Sequence, residues 1–198
     1  MTLTYRKIPL YIGCVAILIS LYAGSNAAWI IGKARIAQHM LKVSWNKSLV
    51  SGLAEKPWPW ADVQTIARLN IAAIDKSFIV LSDASGEAMA FGPGLVGGNP
   101  RQASNSTLAI GGHRDTHLRF LEDLPTGTII DLQTIDQPNI RYKLIDKQIV
   151  DTRQHTLTIS RQTPGLVLIT CYPFNARQTG GPLRMIARAI RVDSYSNT

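Results

Sequence analysis

Cys171 closes the run Gly165-Leu166-Val167-Leu168-Ile169-Thr170-Cys171-Tyr172-Pro173 and is the only cysteine outside the first apolar segment. A lone thiol at the end of a strand-like run is a candidate nucleophile when a base and a charge stabiliser can reach it. His113 follows two glycines at the end of a second such run. Arg184 opens a third, 13 residues after the cysteine. A hairpin between 171 and 184 sets Cys171 and Arg184 on neighbouring strand ends, with residues 175–182 as its loop. A thiolate can then attack a carbonyl, an imidazole can move protons near neutral pH, and a guanidinium can donate to the developing oxyanion. The plain alternative is a buried structural cysteine, a common occurrence.

The elements that position these groups are short. From residue 67 onward, short apolar runs at 69–74 and 78–81 and segments at 107–110, 128–132, 140–145, 148–151, 166–170 and 185–192 read as strands. Residues 117–124 read as a short helix, and 91–100 as a loop by their Gly and Pro content. That loop lacks a Gly-Lys-Ser/Thr ending and a following helix, so it does not read as a phosphate cradle. Many short strands with little helix predict a mostly β barrel or sandwich.

Upstream, residues 8–32 carry no charge, and Arg6 and Lys7 precede them. About 20 apolar residues span a bilayer as a helix, so residues 1–32 are expected to be a cytoplasmic tip and transmembrane anchor. A cleaved signal peptide is the rival reading. Residues 33–56 read as an amphipathic helical linker, with Ile36, Met40, Val43, Leu49 and Val50 as its apolar positions. Pro57-Trp58-Pro59-Trp60-Ala61-Asp62 then bars regular structure, its tryptophans expected to dock on the domain that fills 57–198.

Composition narrows the function. With 17% charged and 45% hydrophobic residues the chain is globular. Its net charge of +8 is scattered rather than clustered, which argues against nucleic acid and for a basic surface near an anionic membrane. Cys14 lies in the apolar segment, so Cys171 is expected to be a free thiol. His117, four residues after His113, has no third ligand in view, and no metal or cofactor is expected.

Several stretches together carry a family likeness: Phe91-Gly92-Pro93-Gly94, Gly112-His113-Arg114-Asp115-Thr116-His117, Leu168-Ile169-Thr170-Cys171-Tyr172-Pro173-Phe174 and Gly180-Gly181-Pro182-Leu183-Arg184. With Pro57-Trp58-Pro59-Trp60-Ala61-Asp62, they resemble the sortases, in particular the group from Gram-negative bacteria that is similar to class D. Val167 stands where the family's Thr-Leu-x-Thr-Cys has its first threonine. The resemblance implies an N-terminal transmembrane helix followed by a closed barrel of about eight strands with short helices. It also implies a membrane-anchored cysteine transpeptidase in the inner membrane, its catalytic domain periplasmic. The substrate would be a secreted protein with a C-terminal sorting signal, and the acyl fragment would pass to an amine acceptor. Cys171 would be the nucleophile and His113 the general acid and base. Arg184 would be the oxyanion stabiliser, and Thr170 a contact to substrate or oxyanion. Arg188 and Arg177 compete with Arg184 for the arginine role, but Arg188 lies about 13 Å further along the strand and Arg177 falls in a loop. His155 sits in the stretch similar in position to the family's signal-reading loop and reads as a solvated residue. Asp115 could orient His113, though capping the short helix is its expected role. The competing functions are an L,D-transpeptidase, which would show a Ser-His-Gly-Cys type motif, and an anchored β module that binds without catalysis.

Overall fold

The computed structural model describes residues 8–154, 156, 163–176 and 180–192. It divides into two units, Met1–His39 and Met40–Thr198.

The first unit is helical. It holds the start of helix α1 (Ile8–Ser51). Gly24-Ser25-Asn26 does not interrupt the helix, since local hydrogen bonds absorb both serines: Ser20 Oγ donates to the Ala16 carbonyl and Ser25 Oγ to that of Tyr22. Toward its N-terminal end the large apolar side chains are exposed, Ile12, Leu18, Leu21 and Ile30 among them. By length and composition this helix could cross a membrane.

From Met40 the helix belongs to the second unit, and its buried face differs from the expected one. Val43 and Leu49 are exposed, and Val50 is 91% exposed. The face turned to the barrel is Leu41, Ser44, Trp45 and Ser48, an i, i+3, i+4, i+7 stripe. Two serines can lie there because each finds a partner. Ser44 Oγ donates to the Glu55 carbonyl at 3.0 Å, and Ser48 Oγ lies 3.0 Å from Thr65 Oγ1 while accepting from Glu55 N–H. Leu41 and Trp45 pack on Ala61, Val63, Ile79 and Leu81. A hydrophobicity pattern misses such a face, because satisfied hydroxyls replace apolar contacts.

Among the described residues eight strands close a barrel: β1 (Thr65–Ile71), β2 (Lys76–Leu81), β3 (Gly94–Gly97), β4 (Thr107–Gly111), β5 (Ile129–Thr134), β6 (Ile140–Asp151), β7 (Gly165–Cys171) and β8 (Leu183–Arg191). Their order around the barrel is β1-β2-β3-β4-β7-β8-β6-β5. β2–β3 and β4–β7 are parallel and the remaining pairs antiparallel. In β6 the inward Ile140, Tyr142 and Leu144 alternate with exposed Arg141, Lys143 and Ile145, the two-residue period of a half-buried strand. β4 is instead buried along its whole length and β7 along most of it, as parallel pairs covered on both faces are.

The elements differ from the expected ones in four places. The 148–151 run is the end of β6, carried past a register shift between Leu144 and Asp146 rather than standing as its own strand. The 69–74 run ends as a strand at Ile71 and turns at Asp75, whose φ is 50°. The helix at 117–124 is a single 3-10 turn at Arg119–Leu121. The 91–100 loop contains β3, which pairs with β2 through Leu81 and Gly94. A Cβ on Gly94 would collide with the Asp83 backbone carbonyl, and Ala84 Cα would be only 2.8 Å away. Gly94→Ala is therefore expected to cost about 3 kcal/mol or more in denaturant unfolding of the full chain. Gly86→Ala, which meets nothing within 4 Å, should change stability by less than about 1 kcal/mol.

Candidate active site

β7 is the element that delivers the thiol. Its Leu166 and Leu168 enter the barrel core, and the strand ends with Cys171 half-buried at the rim. β4 runs beside it in parallel, with Thr107 opposite Gly165 and Gly111 opposite Ile169. Two further bonds extend this registry. Gly112 N–H donates to the Ile169 carbonyl at 3.1 Å, and Thr170 Oγ1 donates to the Gly112 carbonyl at 2.8 Å. The next residue on that side is His113, which is exposed and leaves the barrel at the level of Cys171.

Gly111 and Gly112 allow this close approach. A Cβ on Gly112 would lie 2.8 Å from Leu118 Cγ, and one on Gly111 2.8 Å from Val96 Cγ2. The small residues let the turn that carries His113 lie flat on the core.

β8 supplies the cation. It pairs antiparallel with β7, and Cys171 stands directly opposite Arg184. Opposed residues in such a ladder project to the same face. Tyr172 N–H donates to the Leu183 carbonyl at 3.0 Å and continues the pairing past the cysteine. Arg184 Nη1 donates to the Gly181 carbonyl at 2.6 Å and the Leu183 carbonyl at 2.9 Å. These bonds fix the half-buried guanidinium at the rim, with Nε and Nη2 unused among the described residues.

The structure thus brings His113, Cys171 and Arg184 to one end of the barrel. Thr170 is also there, but it is only 2% exposed and its hydroxyl is committed to Gly112. Arg188 lies opposite Val167, four residues from the rim, and its Nη1 is 3.4 Å from Asp146 Oδ2. Arg177 and His155 lie outside the described residues.

Asp115 neither caps a helix nor serves His113 here. It pairs with Arg114 at 3.4 Å. Arg114, within the motif around His113, has no role assigned by the sequence. Its side chain is only 7% exposed, and its two terminal nitrogens donate to the Pro173 and Ala176 carbonyls at 2.8 and 2.9 Å. A charged residue next to a histidine looks solvated in a sequence. Only the loop that folds over it reveals its partners.

His117 packs edge-on against Phe78, with Nδ1 3.2 Å from Thr116 Oγ1. Burial first, and then the neighbouring His113, hold its pKa below the ordinary 6.5. The folded chain therefore resists a proton that the unfolded chain accepts. The stability contributed by neutral His117 is complete above pH 6.5 and is lost as pH falls below that value. The melting temperature of the full chain should drop between pH 6.5 and 5, and the His117→Gln variant should show a shallower drop. Among the described residues no three His, Cys, Asp or Glu side chains cluster as a metal site. Trp58 docks on the domain through an edge contact with Phe91 at 4.9 Å, while Trp60 remains 77% exposed.

The Sortase domain family matches residues 69–192, which include every strand from β2 to β8. Solved structures show the same fold. Sortase A from Corynebacterium diphtheriae is 24% identical with a TM-score of 0.55, covering 70% of this chain and 66% of that one. A Clostridium perfringens sortase D5 transpeptidase is 14% identical with a TM-score of 0.62, covering 80% of this chain and 99% of that one. A Clostridium perfringens sortase C, solved with the C-terminal cell wall sorting motif, is 18% identical with a TM-score of 0.56, covering 82% and 90%. No curated protein matches the sequence. With a thiol, an imidazole-bearing turn and a guanidinium at one end of a closed barrel, and a family match over most of that barrel, the chain belongs to the sortase family of cysteine transpeptidases.

Proposed function

We propose that the protein is a membrane-anchored transpeptidase. It cleaves a C-terminal sorting motif of a secreted protein and transfers the acyl fragment to an amine, with Cys171, His113 and Arg184 as the reacting set. The carrying observation is the double pairing of β7: Arg184 lies opposite Cys171 on β8, and β4 delivers His113 at the same level on the other side.

The chemistry follows from those positions. The Cys171 thiolate attacks the scissile carbonyl carbon, a C–S bond forms, and charge gathers on the carbonyl oxygen. Arg184 supports that charge through Nε and Nη2 while Nη1 holds its own loop. His113 gives its proton to the departing nitrogen as the C–N bond breaks, leaving a thioester on Cys171. An incoming amine attacks the thioester and His113 accepts its proton. The C–S bond then breaks, returning the thiolate. Thr170 contributes by locking the cysteine strand to Gly112 through its hydroxyl.

Anchoring is supported by α1, whose N-terminal part exposes large apolar side chains, and by Arg6 and Lys7 ahead of it. In this reading the barrel lies outside the cytoplasm, in the periplasm of a Gram-negative cell. The D5 transpeptidase, matched over almost its full length, supports a class D-like grouping. The sortase C structure with the C-terminal cell wall sorting motif supports a C-terminal signal as the substrate. Incubation of the full chain in detergent with a library of candidate sorting peptides should give, by intact mass, one acyl adduct on Cys171 that an added amine discharges. Peptide cleavage without a Cys171 adduct would overturn the proposal.

A further inference from the structure

Arg114 is a buried charge that none of the steps above uses. A guanidinium removed from water is costly unless its donors are met, and here both terminal nitrogens donate to one specific segment. Nη1 and Nη2 fork onto the carbonyls of Pro173 and Ala176, two and five residues after Cys171. Arg114 is itself the residue after His113. On the other side of the same two residues, Thr170 is bonded to Gly112, the residue before His113. The turn that carries His113 is thus tied to the cysteine segment twice, once just before each reacting residue and once just after.

We propose that Arg114 is a positioning residue that fixes His113 against Cys171 by clamping the start of the β7–β8 loop to the histidine turn. The inference rests on the transpeptidase reading of the site. It also explains why arginine rather than lysine stands there. Two carbonyls three residues apart need a planar fork, whereas an ammonium offers a compact point charge. The Asp115 contact is secondary: Asp115 is 61% exposed, and an ion pair in solvent contributes little.

The test measures the rate of Cys171 alkylation against pH, resolved from Cys14 by peptide mapping, together with peptide turnover per titrated Cys171. Arg114→Lys keeps the charge but loses the fork. It should shift the midpoint of the alkylation profile and lower kcat about tenfold to a hundredfold, since small misplacements of reacting groups cost that much. KM for the peptide should stay within about twofold. Asp115→Asn should leave both readouts at wild-type values. A residue that merely stabilised the fold would lower the titratable fraction without moving the profile of the folded molecules. Arg114→Gln removes both the charge and the fork and should shift the profile in the same direction, which keeps the proposal testable if Arg114→Lys does not fold. His113→Gln separates the two levels of argument. If it leaves the alkylation profile unchanged, the transpeptidase reading of the site fails. If it shifts the profile while Arg114→Lys and Arg114→Gln do not, only the role given to Arg114 is overturned.

Discussion

Cys171→Ala is expected to abolish acyl-enzyme formation and to lower peptide cleavage by about 10⁴-fold or more, the scale seen when a covalent nucleophile is removed. The variant should fold. Cys171 is only half-buried at the end of β7, and a one-atom truncation at a rim opens no core cavity. Its unfolding midpoint should stay within a few degrees of wild type. Intact mass after incubation with a sorting peptide should show the unmodified chain alone. The same peptide on the wild-type protein should show the thioester. Wild-type cleavage by Cys171→Ala would place the nucleophile elsewhere, and Cys14, in the exposed apolar helix, offers no replacement.

The second large effect separates two arginines on one strand. Arg184→Ala should lower kcat/KM by about 10² to 10³-fold, the loss typical of removing an oxyanion donor from a preorganised site. Arg188→Ala should stay within about threefold of wild type, because the Arg188 guanidinium is engaged with Asp146 on the barrel wall. Arg184→Lys should recover only part of the loss, since one ammonium cannot both hold the Gly181 and Leu183 carbonyls and meet the substrate oxygen. Steady-state cleavage of a sorting peptide, normalised to titrated thiol, gives all three values. Equal losses at 184 and 188 would mean that the cross-strand register is not what assigns the arginine.

The strands of the barrel were readable because their periods are local. Ile140, Tyr142 and Leu144 alternate with polar or exposed neighbours within one segment, and 166–169 is an unbroken apolar run. β3 was not readable. It is four residues long, two of them glycine, and exists because Gly94 fits against the Asp83 carbonyl where a larger residue cannot. The buried face of α1 beyond Met40 was missed for a related reason. Ser44 and Ser48 are acceptable inside only because Glu55 and Thr65 come back from sequence-distant positions to bond them.

The sequence by itself determined which side chains are chemically capable. It supplied one thiol after an apolar strand, one histidine after paired glycines, an arginine 13 residues past the thiol, and an apolar N-terminal segment. Residue type and spacing carry that information without reference to the rest of the chain. The tertiary structure alone decided how those groups meet. His113 comes to the barrel end that holds Cys171 through a parallel β4–β7 pairing that joins residues 58 apart, and no local signal encodes such a partner. The same long-range closure buries Arg114 and turns an ordinary charged residue into the clamp between the two halves of the site. A charge reads as solvated until the carbonyls that satisfy it are folded into place.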